Sequence, residues 1–342
     1  MKKILVTGGT GYIGSHIAVE LINRGYEIVI IDDLSNSKAE ALKRIRMITW
    51  KMPAFYKFNL CDLELLERFF AVEKNIDAVL HFAASKAAGE SKREPLKYYR
   101  NNVLPLINIL ECMKVNNIKN IIFPSSSSIY GQCEELPIRE DSIRGKIEST
   151  YASTKIIGEK IISDFVERFN SQAVIFRFFN AIGAHESGMI GEYPLGEPEN
   201  LVPYITQTAA GKRDCLKIFG RDYNTPDGTG VRDYLHVMDL ADAHVRTLEL
   251  MRDNKLKSAF EVYNLGTGKG VSVMEIMNAF EKANGIRVKH KVVDRRPGDI
   301  EAIFADSQKA NDELGWQARR SLEDSLRDAW RWEKNLKAHG SF

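Results

Sequence analysis

Tyr151 and Lys155 stand four residues apart in Tyr151-Ala152-Ser153-Thr154-Lys155, a spacing that puts both side chains on one face of a helix. The pair has a chemical use. A phenol titrates near pH 10 and is a poor base at neutral pH, but a neighbouring ammonium favours the phenolate. Beside an oxidised nicotinamide, whose charge acts in the same sense, such a tyrosine can take the proton of an alcohol while hydride leaves the same carbon. Alone the pattern is weak: with twelve tyrosines, about one accidental match is expected in a chain of this composition. The bland alternative is a tyrosine and a lysine on a solvated helix face. Position argues against it, because the pair opens the helix that precedes the sixth strand pattern. A third polar group usually shares this work, and Ser125-Ser126-Ser127-Ser128 supplies hydroxyls at the end of the fifth.

A second constellation lies at the start of the chain. Thr7-Gly8-Gly9-Thr10-Gly11-Tyr12-Ile13-Gly14 follows a first strand and opens a helix. Gly8, Gly11 and Gly14 have G-x-x-G-x-x-G spacing. Glycines allow a tight turn and let backbone N–H groups approach a pyrophosphate at a helix N-terminus. The bland alternative is a glycine turn that binds nothing. Asp32 closes the second strand, 18 residues beyond Gly14. A carboxylate there can accept both ribose hydroxyls and repels a 2′-phosphate, so the two features together predict NAD and not NADP.

These groups need a scaffold that brings strand ends together. Lys3–Thr7, Glu27–Asp32, Ala54–Asn59, Asp77–Ala84, Lys119–Ser125 and Gln172–Arg177 read as strands, several nearly continuous in apolar residues as if buried on both faces. Gly11–Arg24, Leu63–Lys74, Pro95–Asn116 and Thr150–Asn170 read as helices. In the last, Ile157, Ile161, Phe165 and Phe169 recur every fourth residue. Alternation of strand and helix predicts an α/β fold of Rossmann type, a doubly wound parallel sheet. Near Asn180 the texture changes. Residues 183–230 are rich in Gly, Pro and polar side chains, the character of loops that bind something. An amphipathic helix around Leu322–Leu336 closes the chain. The expected division is a nucleotide domain over 1–180 and a smaller mixed α/β substrate domain over 181–342, with part of 232–265 packing back on the first.

Composition narrows the function classes. The chain of 342 residues has 48 basic and 46 acidic side chains, net +2, with 44% hydrophobic and 27% charged residues. No basic stripe points to nucleic acid. No apolar run approaches the roughly 20 residues of a membrane span, and Ile4-Leu5-Val6 is too short for a signal-peptide core. A cytoplasmic setting is expected. Cys61, Cys112, Cys133 and Cys215 are scattered, and His236 and His244 lie eight apart, so neither a disulfide frame nor a metal site is expected.

Together these motifs resemble the extended short-chain dehydrogenase/reductases, and within them the UDP-glucose (UDP-galactose) 4-epimerase family. The resemblance rests on TGGTGYIGSH at 7–16, HFAASKAAGES at 81–91, YYRNNV at 98–103, RFFNAIGAH at 177–185, DGTGVRDYLHVMDLAD at 227–242 and YNLGTG at 263–268. It covers nearly the whole chain. It implies C4 epimerisation of a UDP-sugar through a transient 4-keto sugar and enzyme-bound NAD, in a homodimer, with Tyr151 as base and Ser126, 25 residues before it, on the sugar O4. It further implies cofactor contacts from Tyr12, Ile13, Asn59, Leu60, Phe82, Ala83, Ala84, Lys86 and Asn101 beside the glycines and Asp32, with Lys86 on the cofactor phosphates. For the substrate it implies Asn180, Asn200, Leu201, Arg232 and Arg296 on the diphosphate, a role that suits guanidinium geometry. Lys217 and Phe219 would flank the uracil and Asp299 would meet its ribose.

Three positions depart from the family pattern. Asn59 stands for a frequent Asp and Ala84 for a frequent Gly. Ile303 stands where a large Tyr or a small residue bears on sugar choice, which leaves N-acetylated UDP-sugars open as further substrates. Other readings are an epimerase of UDP-N-acetylglucosamine or UDP-glucuronate, and a nucleotide-sugar 4,6-dehydratase. The dehydratase pattern has an Asp-Glu pair after the Ser/Thr, where this chain has Ser127-Ser128-Ile129-Tyr130. A redox sensor of the same fold typically lacks the Tyr or Lys that are present here.

Overall fold

The computed structural model describes residues 2–296 and 298–338; Met1, Pro297 and residues 339–342 of the expected two-part division lie outside it. The first half alternates strand and helix: β1 (Lys3–Thr7), α1 (Tyr12–Asn23), β2 (Glu27–Ile31), α2 (Glu40–Thr49), β3 (Ala54–Tyr56), α3 (Leu63–Val72), β4 (Ile76–His81), α4 (Ala88–Arg93), α5 (Pro95–Val115), β5 (Asn120–Ser126), a 3-10 turn over Ser127–Tyr130, α6 (Thr150–Phe169) and β6 (Gln172–Phe178). The second half runs β7 (Asn180–Ile182), α7 (Leu201–Ala209), β8 (Leu216–Phe219), β9 (Val231–Arg232), β10 (Tyr234–His236), α8 (Val237–Arg252), β11 (Phe260–Leu265), β12 (Val271–Ser272), α9 (Val273–Asn284), β13 (His290–Val293), β14 (Ala302–Ile303), α10 (Gln308–Leu314) and α11 (Leu322–Ala338).

The main sheet has the order β11-β6-β5-β4-β1-β2-β3, every pair parallel. Parallel strands need crossovers, and the helices that make them cover both faces. Alternate residues of each strand therefore enter different cores. Ile4, Val6, Ile28, Ile30 and Leu80 pack with α1, α8 and Trp316. Leu5, Val29, Ile31, Val79 and Phe123 pack with α3, α5 and α6. Each fully buried aliphatic side chain contributes about 1.5–3 kcal/mol, which is why the strand patterns were nearly continuous in apolar residues. Direction reverses on either side of β1. The turns after β1 and β4 diverge there and leave a crevice at the strand C-termini, the place where doubly wound sheets bind ligands.

Some boundaries differ from the sequence reading. The third strand ends at Tyr56, because as the edge strand it pairs with β2 alone and the chain then turns along the crevice. The fourth ends at His81, and Phe82–Ala84 leave the ladder to line the same crevice. In α6 the deepest apolar side chains are Ala152, Ile162, Phe165 and Val166, while Ile157 and Ile161 are half-buried. Gly158 explains how α6 reaches the sheet: a Cβ there would meet the Phe123 ring at 2.7 Å. α2 and α4 were absent from the sequence reading, as was α7 inside the stretch read as loop.

Elements of the second half return to the main sheet. α8 packs on α1, and β11 adds the last strand to the main sheet beside β6. A second core forms from α7, β8, α9 and α11 around Ile205, Ile218, Ile276, Phe280 and Leu326. Asp239 of α8 joins the C-terminal segment to this frame. Its buried carboxylate accepts the backbone N–H groups of Arg319 and Arg320 at 3.0 Å each and the Arg320 guanidinium at 2.6 Å. Substituting Asp239→Ala leaves both N–H groups without an acceptor. The expected loss is roughly 2–3 kcal/mol of stability, with Asp239→Asn losing less; urea unfolding of the three proteins measures it.

Candidate active site

The turn after β1 is built around close approach. Gly8 has φ +68°, and a Cβ on it would lie 2.7 Å from the Ala83 nitrogen; one on Gly14 would lie 2.4 Å from the Gly8 oxygen. No side chain fits at either place, so the α1 N-terminus, capped by Gly11, sits directly against the turn. Asp32 follows β2. Its carboxylate accepts Thr10 N (3.1 Å), Leu34 N (2.9 Å) and Ser37 Oγ (3.0 Å). A cavity of about 100 Å³ lies between, lined by Gly8, Gly11 and Asp32 and by Asn59, Leu60, Phe82, Ala83, Ala84 and Asn101. Its long walls of backbone, carboxylate and apolar side chain suit an adenosine with its ribose. Asn59 is tied on both sides: its amide donates to Asp33 (2.8 Å) and its oxygen accepts Cys61 N (2.8 Å).

This cavity adjoins a cleft of about 660 Å³ whose walls include Tyr12, Ile13, Gly14, Lys86, Tyr151, Lys155 and Asn200. The Gly8–Gly14 cradle and Asp32 at one end, and Tyr151 at the other, fit a dinucleotide laid across the strand ends. α5 holds the two walls together. Asn102, which the sequence reading did not single out, accepts Ser85 N (2.8 Å) and donates to Ser85 O (3.0 Å) and to Thr154 Oγ1 (3.1 Å) of α6. Beside it, Asn101 donates to Ser85 Oγ (2.9 Å).

Ser149 caps α6 by accepting Ala152 N, so the helix starts where Tyr151 faces the cleft. Burial raises the Tyr151 phenol above its ordinary pKa, against a hydrogen bond from Ser126 and the positive charge of Lys86. Ser126 is itself held by Ser128, whose N–H and Oγ reach its hydroxyl at 3.2 and 2.9 Å. The Lys155 amine lies beside the Tyr151 ring. It donates to Pro124 O at 2.6 Å and lies over the Phe123 ring, 5.8 Å from the Tyr151 ring centroid. Burial pulls its pKa down to about 7, against the opposing charge of Glu159. The positive charge of Lys86 also reaches Tyr151. It pairs with Glu192 at 3.0 Å, and Glu192 also accepts the Asn200 amide at 2.5 Å.

The residues expected to hold the substrate fall in two groups. Asn200 and Leu201 form the N-terminus of α7 at the cleft, where free N–H groups favour an anion. Asn180 opens β7, and its side chain is exposed. The second group lies together further out. Arg296 forms a two-pronged pair with Asp299 at 3.0 and 3.3 Å and lies over Phe219, while Arg232 approaches Asp299 at 3.9 Å. Lys217 shares the exposed face of β8 with Phe219. Ile303 is paired with Arg232 in register but is 3% exposed, enclosed by Ile129, Tyr130, Ile138, Phe179 and Ala305. It is part of a packed wall.

Sequence reasoning missed Glu192, Tyr193 and Trp332. They lie in the cleft wall, with the Trp332 indole donating to Glu192 O at 2.9 Å. The loop around Glu192 carried a signal as a Gly/Pro-rich stretch; Trp332, 140 residues away on α11, carried none. Among the described residues no group of His, Cys, Asp and Glu could hold a metal, and no helix is long and apolar enough to cross a membrane.

Known proteins resemble this chain over nearly its whole length. The family model described as GDP-mannose 4,6 dehydratase matches residues 5–329. A UDP-glucose 4-epimerase of Bacillus subtilis is 50% identical over 333 residues, 97% of each chain. The solved UDP-glucose 4-epimerase from Stenotrophomonas maltophila, with bound NAD and formylated UDP-arabinopyranose, is 42% identical. It superposes with a TM-score of 0.93 over 99% of this chain and 100% of that one. The one from Bifidobacterium longum, in complex with NAD+ and UDP, is 43% identical with a TM-score of 0.93 over 98% and 99%.

The glycine contacts give a direct test of the cradle. Gly14→Ala has no space for its methyl group against Gly8 O. The variant is expected to emerge from purification with less than about a tenth of the wild-type dinucleotide, overpacking of a tight site costing typically 1–3 kcal/mol. Nucleotide released on acid precipitation measures it.

Proposed function

The chain belongs to the family that the GDP-mannose 4,6 dehydratase model describes and, within it, to the UDP-glucose 4-epimerases, and on that premise we propose that it interconverts UDP-glucose and UDP-galactose. The observation that carries the chemistry is Tyr151 in the wall of the same cleft as the Gly8–Gly14 cradle, with Lys155 one turn along the same helix and Ser126 at the end of β5. Gly8, Gly11, Tyr12, Ile13, Gly14, Asp32, Asn59, Leu60, Phe82, Ala83, Ala84, Lys86 and Asn101 would hold NAD, which when bound supplies the acceptor and donor of hydride at C4 and a positive ring charge. The residues of the chain then handle the proton. Tyr151 as phenolate takes the O4 proton as the C4–H bond breaks and C4 becomes a carbonyl, and Ser126 holds that oxygen. After the 4-keto ring has turned to present its other face, Tyr151 returns the proton to O4 as C4 is reduced. Asn180, Asn200, Leu201, Arg232 and Arg296 would anchor the diphosphate through that turn, with Lys217, Phe219 and Asp299 on the uridine. A carboxylate pair able to eliminate water is missing from Ser127, Ser128 and Ile129, which favours epimerisation over dehydration.

The proposal extends to a homodimer in the cytoplasm. α5 leaves Leu96, Tyr99, Leu104 and Ile107 exposed along one side, next to half-buried Ile157 and Ile161 of α6, a contiguous apolar stripe of the kind that packs against a second copy. The free thiols, with Cys112 and Cys133 buried, suit a reducing compartment. Light scattering is expected to find two chains per particle, and Leu104→Glu with Ile107→Glu to give monomers.

Tyr151→Phe keeps the ring and removes the acid–base group. Its kcat is expected to fall by roughly 10²–10⁴ with UDP affinity little changed; kcat within about threefold of wild type rejects the assignment. The wild type is assayed with UDP-glucose, UDP-galactose, their N-acetyl forms and UDP-glucuronate. A kcat/KM highest for an N-acetyl or glucuronate substrate rejects the choice of sugar while leaving the chemistry in place.

A further inference from the structure

We propose that the buried ion pair between Glu159 and Arg177 positions the catalytic group, clamping the strand end that carries Ser126 and fixing a negative charge one helical turn beyond Lys155. The proposal rests on the assignment of Tyr151, Ser126 and Lys155 above. Both side chains of the pair are under a tenth exposed. Arg177 of β6 meets Glu159 of α6 through two bonds, Nη2 to Oε2 at 2.8 Å and Nε to Oε1 at 3.1 Å. The pair then reaches both ends of the segment 125–130. Ser125 Oγ donates to Glu159 Oε1 at 2.6 Å, and Arg177 Nη1 donates to the Tyr130 hydroxyl at 2.9 Å and to Glu140 O at 2.8 Å. Tyr130 in turn donates to Asn264 of β11 at 2.6 Å. Ser126 lies between these two anchors, one residue from the first.

The same carboxylate lies one helical turn beyond Lys155, extending the series Tyr151, Lys155, Glu159. The other titratable groups around the amine are Tyr151 on its own helix and His81 on β4, which burial keeps neutral by pulling its pKa down to about 3. Arg144 approaches Glu159 from the far side at 3.4 Å, and Arg177 takes both its oxygens. A buried ion pair adds little net stability, since desolvation offsets the attraction, and an apolar pair of similar size often replaces it without loss. What it can supply is a fixed geometry and a fixed charge.

The sign of the effect follows. Burial lowers the Lys155 pKa and Glu159 raises it. Without Glu159 the ammonium is lost at lower pH, so the alkaline limb of kcat moves toward acid. A limb moved by about one pH unit means a tenfold loss of charged amine at any pH above both positions of the limb. The test uses holoenzyme of Glu159→Gln, and of the double variant Glu159→Met, Arg177→Met, which removes both charges where the single change fails to fold. Ser125→Ala loses a hydrogen bond and keeps the charge. At pH 8 kcat is expected to fall by about tenfold or more in Glu159→Gln and by less in the double variant, where the loss of Arg177 offsets that of Glu159, and at pH 6 by less than about threefold in Glu159→Gln. UDP affinity by calorimetry is expected to stay within about threefold of wild type. Ser125→Ala is expected to lower kcat equally at every pH. An alkaline limb that does not move in Glu159→Gln, a limb that moves as far toward acid in the double variant as in Glu159→Gln, or a parallel loss of UDP affinity in either, overturns the proposal. Tyr151→Phe measured alongside separates the two failures: if it retains activity, the underlying assignment is wrong, and if it is inactive while the limb stays in place, the positioning role alone is wrong.

Discussion

The two halves of the site are joined through one buried carboxylate. Asp233 has no solvent exposure, and burial raises its pKa against the hydrogen bonds that stabilise its charge. Those bonds come from Thr267 N (2.8 Å), Thr267 Oγ1 (2.7 Å), Gly268 N (3.1 Å) and Ala305 N (3.2 Å). Its own carbonyl accepts Asn180 N at 2.9 Å. Four separate segments therefore meet at residue 233: the start of β7, the turn after β11, the chain just after β9 with its Arg232, and the chain just after β14 with its Ile303. An unpaired carboxylate could not be buried there, so the segments and the charge require one another. This constraint places Arg232 and Asp299 on a frame fixed to the main sheet. It also accounts for Gly266, where a Cβ would stand 2.5 Å from the Asp233 oxygen.

On the opposite side of the cleft the same economy appears in α5. Asn102 bonds the loop after β4 and the second turn of α6 at once, so the distance between Lys86 and Tyr151 is set by one amide. The phenol and the amine then sit in different surroundings. Tyr151 opens to the cleft, where Lys86 and Ser126 act on it. Lys155 is sunk beneath it against Pro124 O and Phe123. Two groups four residues apart on a helix thus acquire separate electrostatic environments from the sheet below them, which the spacing alone does not reveal.

Much of this was legible in the sequence because it is local. The glycine turn, Asp32, and the position of Tyr151 and Lys155 each depend on a strand end and the helix that follows. Strand existence was legible from apolar runs, but β3 and β4 stop earlier than those runs do, since Phe58 and Phe82 are apolar for lining a cavity and not for pairing. α2 was legible in principle: Leu42, Ile45 and Thr49 mark one buried face, though Lys43, Arg44 and Arg46 hide it in a charged stretch. Glu192, Asn102 and Trp332 were not legible. Their partners are 106, 52 and 140 residues away, and nothing in a single sequence links such positions. The burial of Lys155 was not legible for a related reason: it comes from β5, which the helix spacing does not include.

The two ends of the cleft also differ in how firmly they can grip. The dinucleotide end is closed by backbone contacts with no room for a methyl group, at Gly8 and Gly14. Such contacts cannot be exchanged for others without moving α1 off the sheet. The far end is held by ion pairs among Arg232, Arg296 and Asp299, in which Arg296 is 53% exposed. An exposed pair of this kind contributes about 0–1 kcal/mol, so a phosphate can take over a guanidinium at little cost. The proposed reaction needs that asymmetry. A cofactor that must be regenerated in place has to stay fixed through both half-reactions, whereas the hexose has to turn over between them. Its nucleotide must meanwhile be retained by groups that yield and re-form. The fold supplies the first from glycine geometry at the switch point of the sheet. It supplies the second from arginines set on short strands outside it, tied back through Asp233.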